Sequence, residues 1–278
     1  MASTTHKNKC VTPPSMRFLL LGIALLLAGC ATQEPIQAPI VADTEPTNEN
    51  FDAMPMGTLA VSEITVKYFD DVEGFLAEPE TGACPGVILI HEWWGLNDNI
   101  KETARRIASH GYRVLAVDLY EGKVATNSSQ AQALRSGTNA TRSTQNLRAA
   151  NDYLRASGSE RVASWGYCFG GGESMRFGLE GTVDATVVYY GNLQPAILMP
   201  EKVEAPVLLI YGDQDTSTTA DSARELQLKL EPYGVETQLY VYEGVGHAFA
   251  NPSNAGHDPI KTRDAWEKTL VFVQRELR

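Results

Sequence analysis

The residue with the clearest chemical potential in this chain is Cys168, which lies in the run Gly166-Tyr167-Cys168-Phe169-Gly170. An apolar, strand-like segment comes before this run, and a helix-like segment, residues 172–179, comes after it. This context predicts a nucleophile elbow, a sharp strand-to-helix turn that lifts one nucleophilic atom above a sheet. The flanking glycines would relieve the crowding of such a turn, and the helix N-terminus would favour a thiolate. The alternative is that Cys168 is a small buried apolar residue.

An acid and a base follow at the ends of two later strand-like segments. Residues 207–211 are followed by Asp213 and Asp215, and residues 238–242 are followed by His247. The resulting order of nucleophile, acid and histidine is that of the α/β-hydrolases. A free thiol is mostly protonated at neutral pH, so an imidazole has to take its proton, and a carboxylate has to hold that imidazole in one tautomer. Asp215 lies further past the strand end and is the predicted acid, whereas Asp213 is expected to cap the turn.

The run His91-Glu92-Trp93-Trp94-Gly95 directly follows the strand-like residues 86–90. In an α/β-hydrolase, this loop supplies one backbone N–H of the oxyanion hole, and the residue after the nucleophile supplies the other. By position, the two donors are the amides of Trp93 and Phe169. A zinc motif of the form His-Glu-x-x-His is excluded because Gly95 stands where the second histidine is required. We expect no metal ion and no organic cofactor.

Strand-like and helix-like segments alternate through the body of the chain. The apolar runs predict strands at 64–69, 72–77, 86–90, 114–118, 162–165, 185–190, 207–211 and 238–242, and helices at 97–110, 128–157 with a break near Gly137, 220–233 and 258–278. This alternation predicts an α/β-hydrolase fold with a mainly parallel central sheet and helices on both faces. Catalytic groups are then expected on the loops at the carboxyl ends of the strands.

Length and charge limit the classes of protein that this chain can belong to. Its 278 residues are enough for one large α/β domain or two small ones. The formal net charge of −11 repels phosphate backbones, so nucleic-acid binding is not expected. A disulfide between Cys84 and Cys168 would inactivate the thiol, but the two cysteines belong to different strand-like segments, so we expect both to be free.

The N-terminus is typical of an export signal. Arg17 precedes the apolar residues 18–27, a run too short to span a bilayer, and Leu27-Ala28-Gly29-Cys30 resembles the lipobox of bacterial lipoproteins. The resemblance implies cleavage before Cys30, which then carries the lipid. An ordinary signal peptide, with Cys30 incidental, is the alternative, and Met16 is a possible translation start. Ala31 resembles the residue found after the lipidated cysteine in lipoproteins sent to the outer membrane, so we expect an envelope location facing the periplasm or exterior.

The predicted organisation has three parts. Residues 1–29 are the signal peptide, and residues 30–57 are the lipidated cysteine and a tether rich in proline and acidic residues. Residues 58–278 form the hydrolase domain. We expect a monomer held at a membrane through Cys30.

Five short motifs together resemble the dienelactone hydrolase family, an α/β-hydrolase branch. They are Gly-Tyr-Cys-Phe-Gly-Gly, His-Glu-Trp-Trp-Gly, Val-Asp-Leu-Tyr at 117–120, Gly-Asp-Gln-Asp at 212–215 and Gly-His-Ala-Phe at 246–249, and the likeness covers roughly residues 60–275. The resemblance implies that Cys168 is the nucleophile, Asp215 the acid and His247 the base. It also implies that Glu92 interacts with the resting thiol and helps to convert it to a thiolate when substrate binds.

The chain departs from the family pattern just after the predicted base. Family members that open dienelactones hold the substrate carboxylate with arginines, one of them in a His-Ser-Phe-x-Arg run, but here the run ends in Asn251. No charge at Asn251 is available for a carboxylate, and the sequence leaves open whether Arg135 or Arg142 supplies one. We therefore expect a small neutral substrate rather than dienelactone.

The sequence thus predicts a cell-envelope acyl hydrolase that cleaves a small ester, lactone or thioester. Candidate pocket residues are Trp94, Tyr120 and Asn251, since large aromatic residues near the site would line an acyl pocket. The alternatives are an acyl-transferase or peptidase on the same fold, and a non-catalytic lipoprotein that binds a ligand.

Overall fold

The computed structural model describes residues 51–80, 82 and 84–278. The predicted signal peptide, the predicted lipidation site Cys30 and most of the predicted tether lie outside the described residues. The described strands are β1 Val61–Phe69, β2 Val72–Pro79, β3 Gly86–Ile90, β4 Arg113–Val117, β5 Val162–Tyr167, β6 Ala185–Tyr189, β7 Val207–Gly212 and β8 Thr237–Tyr242. The described helices are α1 Asp98–Ser109, α2 Ser128–Ser136, α3 Ala140–Ala156, α4 Phe169–Gly178, α5 Gln194–Leu198, α6 Ala220–Leu230 and α7 Pro259–Glu276.

The eight strands form one mixed sheet in the order β1-β2-β4-β3-β5-β6-β7-β8. Strands β1 and β2 form an antiparallel hairpin, and β2 pairs antiparallel with β4. The pairs from β4 through β3, β5, β6 and β7 to β8 are parallel. The predicted hairpin and the predicted mainly parallel α/β-hydrolase sheet are therefore confirmed.

Helices cover both faces of the sheet because alternate side chains of each strand point to opposite sides. In β3, Val87 and Leu89 pack in the core cluster that includes α1 and α7. Ile88 and Ile90 pack in the cluster on the other side, which includes α3. All five residues of β3 are buried, as expected for a central parallel strand that reads as a continuous apolar run. No helix in the described part of the chain is long and apolar enough to cross a membrane.

The folded body begins earlier in the chain than the sequence predicts. Phe51 and Met54 are buried in the cluster of α1 and α7, and Arg106 of α1 donates hydrogen bonds to the carbonyl oxygens of both, at 2.9 and 2.6 Å. Phe51 and Met54, which the sequence analysis assigned to the tether, therefore pack against the folded domain. The composition of this stretch does not reveal its packing, because two apolar residues are enough to dock it against a helix.

Two glycines let α4 return close to β5 and β3 at the predicted elbow. A Cβ on Gly166 would overlap the carbonyl oxygen of Gly170, and a Cβ on Gly170 would overlap the carbonyl oxygen of Ile90. These neighbours are main-chain atoms and cannot rotate away.

We therefore predict that Gly166→Ala lowers the free energy of unfolding by about 3 kcal/mol or more, because the main chain itself has to shift. Denaturant unfolding of the parent and the variant measures the loss. Gly256→Ala is the control, since a Cβ at that site would lie 3.7 Å from Asn254 Nδ2, an ordinary contact. Equal unfolding free energies for both variants would contradict the steric argument.

Candidate active site

Cys168 occupies the turn between β5 and α4 in a conformation that few residues adopt. Its φ is 54° and its ψ is −114°, and its N–H donates to the carbonyl oxygen of Tyr189 at 3.0 Å. A non-glycine residue with positive φ is strained and persists only where its surroundings impose it. Helix α4 begins at Phe169, directly after Cys168 and earlier than predicted, so Cys168 is the N-cap residue of the helix.

The structure brings together the three residues proposed as a triad. Cys168 Sγ lies 3.0 Å from His247 Nε2, and His247 Nδ1 lies 2.7 Å from Asp215 Oδ2. Strands β5, β7 and β8 run parallel, so the loops that follow them meet at one edge of the sheet. These distances allow one proton to pass between sulfur and imidazole while the carboxylate holds the ring.

Asp215 is buried, and a complete set of donors surrounds its carboxylate. Oδ1 accepts from Ser217 N at 2.8 Å, Ser217 Oγ at 2.7 Å and Thr218 N at 3.0 Å. Burial opposes the charge, but the hydrogen bonds from His247, Thr218 and Ser217 outweigh it and hold the carboxyl pKa well below its usual range. Asp213 instead accepts from the exposed turn residue Gly244 at 2.7 Å. Asp215 is therefore the carboxylate in contact with the imidazole.

His247 favours its protonated form over the neutral pH range. Burial opposes protonation, but the hydrogen bonds with Asp215 and Cys168 outweigh it and raise the pKa of His247 to about 10. The imidazolium can then donate from Nδ1 to Asp215 and from Nε2 to the sulfur. Nε2 then carries a proton directly beside the sulfur.

Thr218 is a site residue that the sequence analysis missed. Its Oγ1 lies 2.7 Å from Asp215 Oδ2, 2.9 Å from the carbonyl oxygen of Tyr190 and 3.3 Å from His247 Nδ1, and its single proton is donated to one of the two oxygens at a time. The signal in the sequence was the run Asp215-Thr216-Ser217-Thr218. Short hydroxyl residues two and three positions after an aspartate commonly form local hydrogen bonds to its carboxylate.

Asn251 connects Glu92 to helix α1. Asn251 Nδ2 donates to Glu92 Oε2, and its Oδ1 accepts from Asn99 Nδ2 at 2.7 Å and from Ser253 N at 2.8 Å. A backbone N–H can only donate, so Ser253 fixes which end of the Asn251 amide faces Glu92. Asn251 was predicted as a pocket residue, and the structure shows in addition that it holds the Glu92 carboxyl group.

Two cavities meet at Cys168. One of about 410 Å³ is lined by Glu92, Trp93, Trp94, Arg135, Cys168, Ser217, His247, Ala248, Asn251 and Asn254. The other, of about 280 Å³, shares Arg135, Cys168, Ser217 and His247 and is otherwise lined mainly by residues of α4 and of the loop after β6, including Phe169, Glu173 and Asn192. The predicted pocket residues Trp94 and Asn251 therefore line the larger cavity.

The structure does not place Tyr120 in either cavity. Its ring lies behind the site, with its centroid 4.7 Å from that of His91 and 5.5 Å from that of Phe169. It lines a separate cavity of about 280 Å³ between α2, α3 and the loop after β4. The prediction that Tyr120 lines the pocket at Cys168 is therefore wrong. Tyr120 follows β4, the neighbour of β3, but its side chain packs against the rings of His91 and Phe169.

The structure distinguishes between Arg135 and Arg142, either of which the sequence allowed as the charge for a substrate carboxylate. Arg135 lines both cavities at Cys168. Arg142 pairs with Asp70 at 3.0 Å and with Glu121 at 2.5 Å. Arg135 is thus the one of the two that can reach a bound molecule.

Cys84 and Cys168 are both free thiols, as predicted. Within the part of the chain that the structure describes, no group of three or more His, Cys, Asp or Glu side chains is arranged to hold a metal ion.

Asn251→Asp is predicted to destabilise the protein by about 3 kcal/mol near neutral pH. The change replaces the amide donor with a second carboxyl group against Glu92, and two carboxyl groups that share a buried site resist joint ionisation. Denaturant unfolding measures the effect. Asn127→Asp is the control, because Asn127 is an exposed N-cap whose side chain accepts from Gln130 N, a role that aspartate fills equally well. If both variants match the parent, Asn251 is not needed as a donor.

Comparison with known proteins identifies the family. A profile of the dienelactone hydrolase family matches residues 72–277. The chain belongs to the dienelactone hydrolase family. It is accordingly an α/β-hydrolase that acts on ester bonds.

Two relatives of known sequence match most of this chain. "Protein usf" from Aquifex pyrophilus is 35% identical over 218 residues, which cover 74% of this chain and 94% of the relative. A protein from Saccharolobus solfataricus named carboxymethylenebutenolidase is 28% identical and covers 73% of this chain and 94% of its own length.

Solved structures share the dienelactone hydrolase fold. A dienelactone hydrolase from Klebsiella pneumoniae superposes with a TM-score of 0.70 at 22% identity and covers 78% of this chain and 99% of its own. A dienelactone hydrolase-like promiscuous phosphotriesterase from metagenomic libraries gives a TM-score of 0.69 at 22% identity, with 80% and 100% coverage. At this level of identity the likeness concerns the fold alone.

Proposed function

We propose that this dienelactone hydrolase family member cleaves small esters, lactones or thioesters through an acyl-enzyme on Cys168. One observation carries the proposal: Cys168 Sγ lies 3.0 Å from His247 Nε2, and His247 Nδ1 lies 2.7 Å from the buried Asp215. A thiol, a base and an acid in hydrogen-bond reach of one another are the parts required for nucleophilic acyl transfer.

The reaction proceeds in two halves. The Cys168 thiolate forms a bond to the acyl carbon, and the carbonyl electrons move to oxygen. The oxyanion then collapses, the bond to the leaving group breaks, and His247 Nε2–H gives its proton to that group. In the second half His247 takes a proton from water, the resulting hydroxide attacks the thioester, and the sulfur leaves as a thiolate.

The oxyanion is stabilised by the main-chain amides of Trp93 and Phe169. The two residues line the two cavities that meet at Cys168. Phe169 is the first residue of α4, and the first N–H groups of a helix have no acceptor within the helix. Preorganised donors of this kind are worth most where charge develops in the transition state.

Glu92 acts on the thiol between turnovers. Both side chains line the larger cavity, and Asn251 holds one oxygen of the Glu92 carboxyl group. We expect Glu92 to interact with the resting thiol and to help convert it to a thiolate when substrate enters.

The two cavities limit the size and the charge of the substrate. Their volumes of about 410 and 280 Å³ fit a small molecule whose two halves extend to either side of the sulfur. Asn251 is uncharged, and Arg176, which lines the smaller cavity, is paired with Glu173. Of the two described arginines that line the cavities, Arg135 is thus the one that can meet an anionic substituent, so neutral or singly charged substrates are favoured.

The acyl-enzyme is directly detectable. The full chain is incubated with p-nitrophenyl acetate under reducing conditions and quenched in acid, and its peptides are weighed by mass spectrometry. We expect acetylation on the peptide that contains Cys168 and not on the one that contains Cys84, together with release of more than one equivalent of p-nitrophenol. Turnover without acetyl on Cys168 would place the nucleophile elsewhere.

We also propose that the hydrolase is held in a bacterial cell envelope by a lipid on Cys30, with the outer membrane favoured. The run Leu27-Ala28-Gly29-Cys30 after an apolar segment supports this. Expression in a bacterium fed an alkyne-tagged fatty acid tests it. Label and membrane fractionation are expected for the full chain and for Cys10→Ser but not for Cys30→Ser. Label that persists in Cys30→Ser would exclude this anchor.

A further inference from the structure

His91 is a buried titratable residue for which the proposed reaction has no role. It follows β3 directly and is fully buried. Its Nδ1 lies 2.5 Å from the carbonyl oxygen of Glu92, and its Nε2 lies 3.1 Å from the backbone N of Leu119, in the loop after β4. Both ring nitrogens are therefore committed to main-chain partners.

These two partners determine the tautomer of His91. The Leu119 N–H can only donate, so Nε2 has to be the acceptor nitrogen. The single ring proton is then on Nδ1, which donates it to the carbonyl oxygen of Glu92. Burial lowers the pKa of His91, in agreement with a neutral ring. If both ring nitrogens were protonated, the Nε2–H would face the Leu119 N–H, and neither of these two donors would have an acceptor there.

The acceptor of this bond belongs to the peptide that joins Glu92 to Trp93. The same carbonyl oxygen also accepts from Gly95 N at 3.3 Å, so two donors hold it on one side. The described peptide bonds are all trans, and a trans peptide directs its C=O and N–H to opposite sides. The Trp93 N–H is therefore held on the side away from the His91 ring.

The ring of His91 also contacts the second predicted oxyanion donor. Its centroid lies 5.9 Å from that of Phe169, and the two rings are stacked with an interplanar angle of 30°. The ring of Tyr120 also packs on His91, with 4.7 Å between the two ring centroids. One side chain thus bonds to the peptide of Trp93 and packs on the residue whose amide is the other donor.

We propose that His91 is a positioning residue of the oxyanion hole, where its Nδ1–H fixes the orientation of the Glu92–Trp93 peptide and its ring supports Phe169. The inference rests on the proposed function, because it needs an acyl-transfer reaction that develops an oxyanion. Loss of His91 should then impair steps that build an oxyanion and spare steps that need only the thiolate.

Two reactions of the full chain separate these effects. Hydrolysis of p-nitrophenyl acetate passes through an oxyanion, whereas alkylation of Cys168 by iodoacetamide does not. We expect His91→Phe to lower kcat by about 10²-fold, the lower range for loss of one oxyanion donor. KM and the alkylation rate should change by less than about twofold, because the hydrogen bonds of Cys168, His247 and Asp215 do not involve His91 and the side chains that line the cavities are unchanged. His110→Phe is the matched control, since His110 bonds to the carbonyl oxygen of Pro55 away from the site.

A second pair of variants tests the bond itself and covers the case in which His91→Phe does not fold. In His91→Asn the amide nitrogen replaces Nδ1 and still donates to the carbonyl oxygen of Glu92. In His91→Gln the side-chain oxygen takes the place of Nε2. This variant still accepts from the Leu119 N–H but loses the donor to the carbonyl oxygen of Glu92. We expect Asn to retain at least about tenfold more kcat than Gln, a difference of the size that positioning effects produce. Equal kcat values for the two, or an alkylation rate that falls in step with kcat, would overturn the inference. A parent enzyme that alkylates but never hydrolyses an ester would instead refute the proposed function.

Discussion

Cys168→Ala is expected to abolish ester hydrolysis, with kcat lowered by about 10⁵-fold or more, because removal of a nucleophile of this kind leaves only binding and the oxyanion donors. The full chain and the variant are compared by p-nitrophenol release under reducing conditions, with the uncatalysed rate subtracted. The variant should still fold, since the close approaches at the elbow are between main-chain atoms.

Cys84→Ala is the control for this result. Cys84 is also a free thiol, but it is buried beside Ser159, whose hydroxyl donates to the Cys84 carbonyl at 2.9 Å, and burial raises the pKa of its thiol. Its loss should leave kcat/KM within about twofold of the parent, since buried thiols of raised pKa are inert. Residual turnover in Cys168→Ala that disappears only when Cys84 is also replaced would show that Cys84 is the nucleophile and that its assignment to Cys168 is wrong.

Asp215→Asn is expected to lower kcat/KM by about 10⁴-fold, the size of effect that the same change produces in a serine triad. An asparagine would present its NH₂ group to His247 Nδ1, so the ring would carry its proton on Nε2 and could not accept one from the thiol. The imidazolium would also lose its counter-ion. Asp213→Asn is the control, because Asp213 is exposed and caps the turn at Gly244 N. Equal losses in the two variants would show that Asp215 has no special relation to the imidazole.

The same substitution has a pH signature in stability. The pKa of Asp215 is lowered in the folded protein, so its contribution to the free energy of unfolding is present above the ordinary value of about 4 and is lost as the pH falls. The pKa of His247 is raised to about 10, so its contribution is complete below the ordinary value of about 6.5 and is lost as the pH rises. We expect urea unfolding to show a loss of stability in the parent from about pH 7 to about pH 10. Asp215→Asn should show a smaller loss over that window.

The parts of the site that the sequence predicted are those whose position follows from strand ends. Cys168, Asp215 and His247 each follow a short apolar run, and parallel pairing brings such ends together regardless of side-chain detail. The glycine spacing around Cys168 has a direct steric cause, and the structure shows the close main-chain contacts that require it. The fold was predictable from the alternation of strand-like and helix-like segments, and the family from the resemblance of five short motifs.

Other contacts depend on side-chain direction and could not be predicted. His91 meets Leu119, 28 residues away, and Asn251 meets Asn99, 152 residues away. Tyr120 has the composition of a pocket residue but turns inward against two rings. Helix α5 has only five residues, too few to show a helical period, so no pattern indicated it. Phe51 and Met54 dock as two separate apolar residues, and two residues are too few to show a period.

The elbow has a consequence for how this family can change. Its tight contacts join main-chain atoms of Gly166, Gly170 and Ile90, and the side chain at position 168 takes no part in them. The supporting turn and the reacting atom are therefore separable, so a hydroxyl could replace the thiol by a single substitution while the turn stays intact. Over evolutionary time the glycine spacing should then persist longer than the identity of the nucleophile. Sequence searches based on that spacing would recover cysteine and serine hydrolases together.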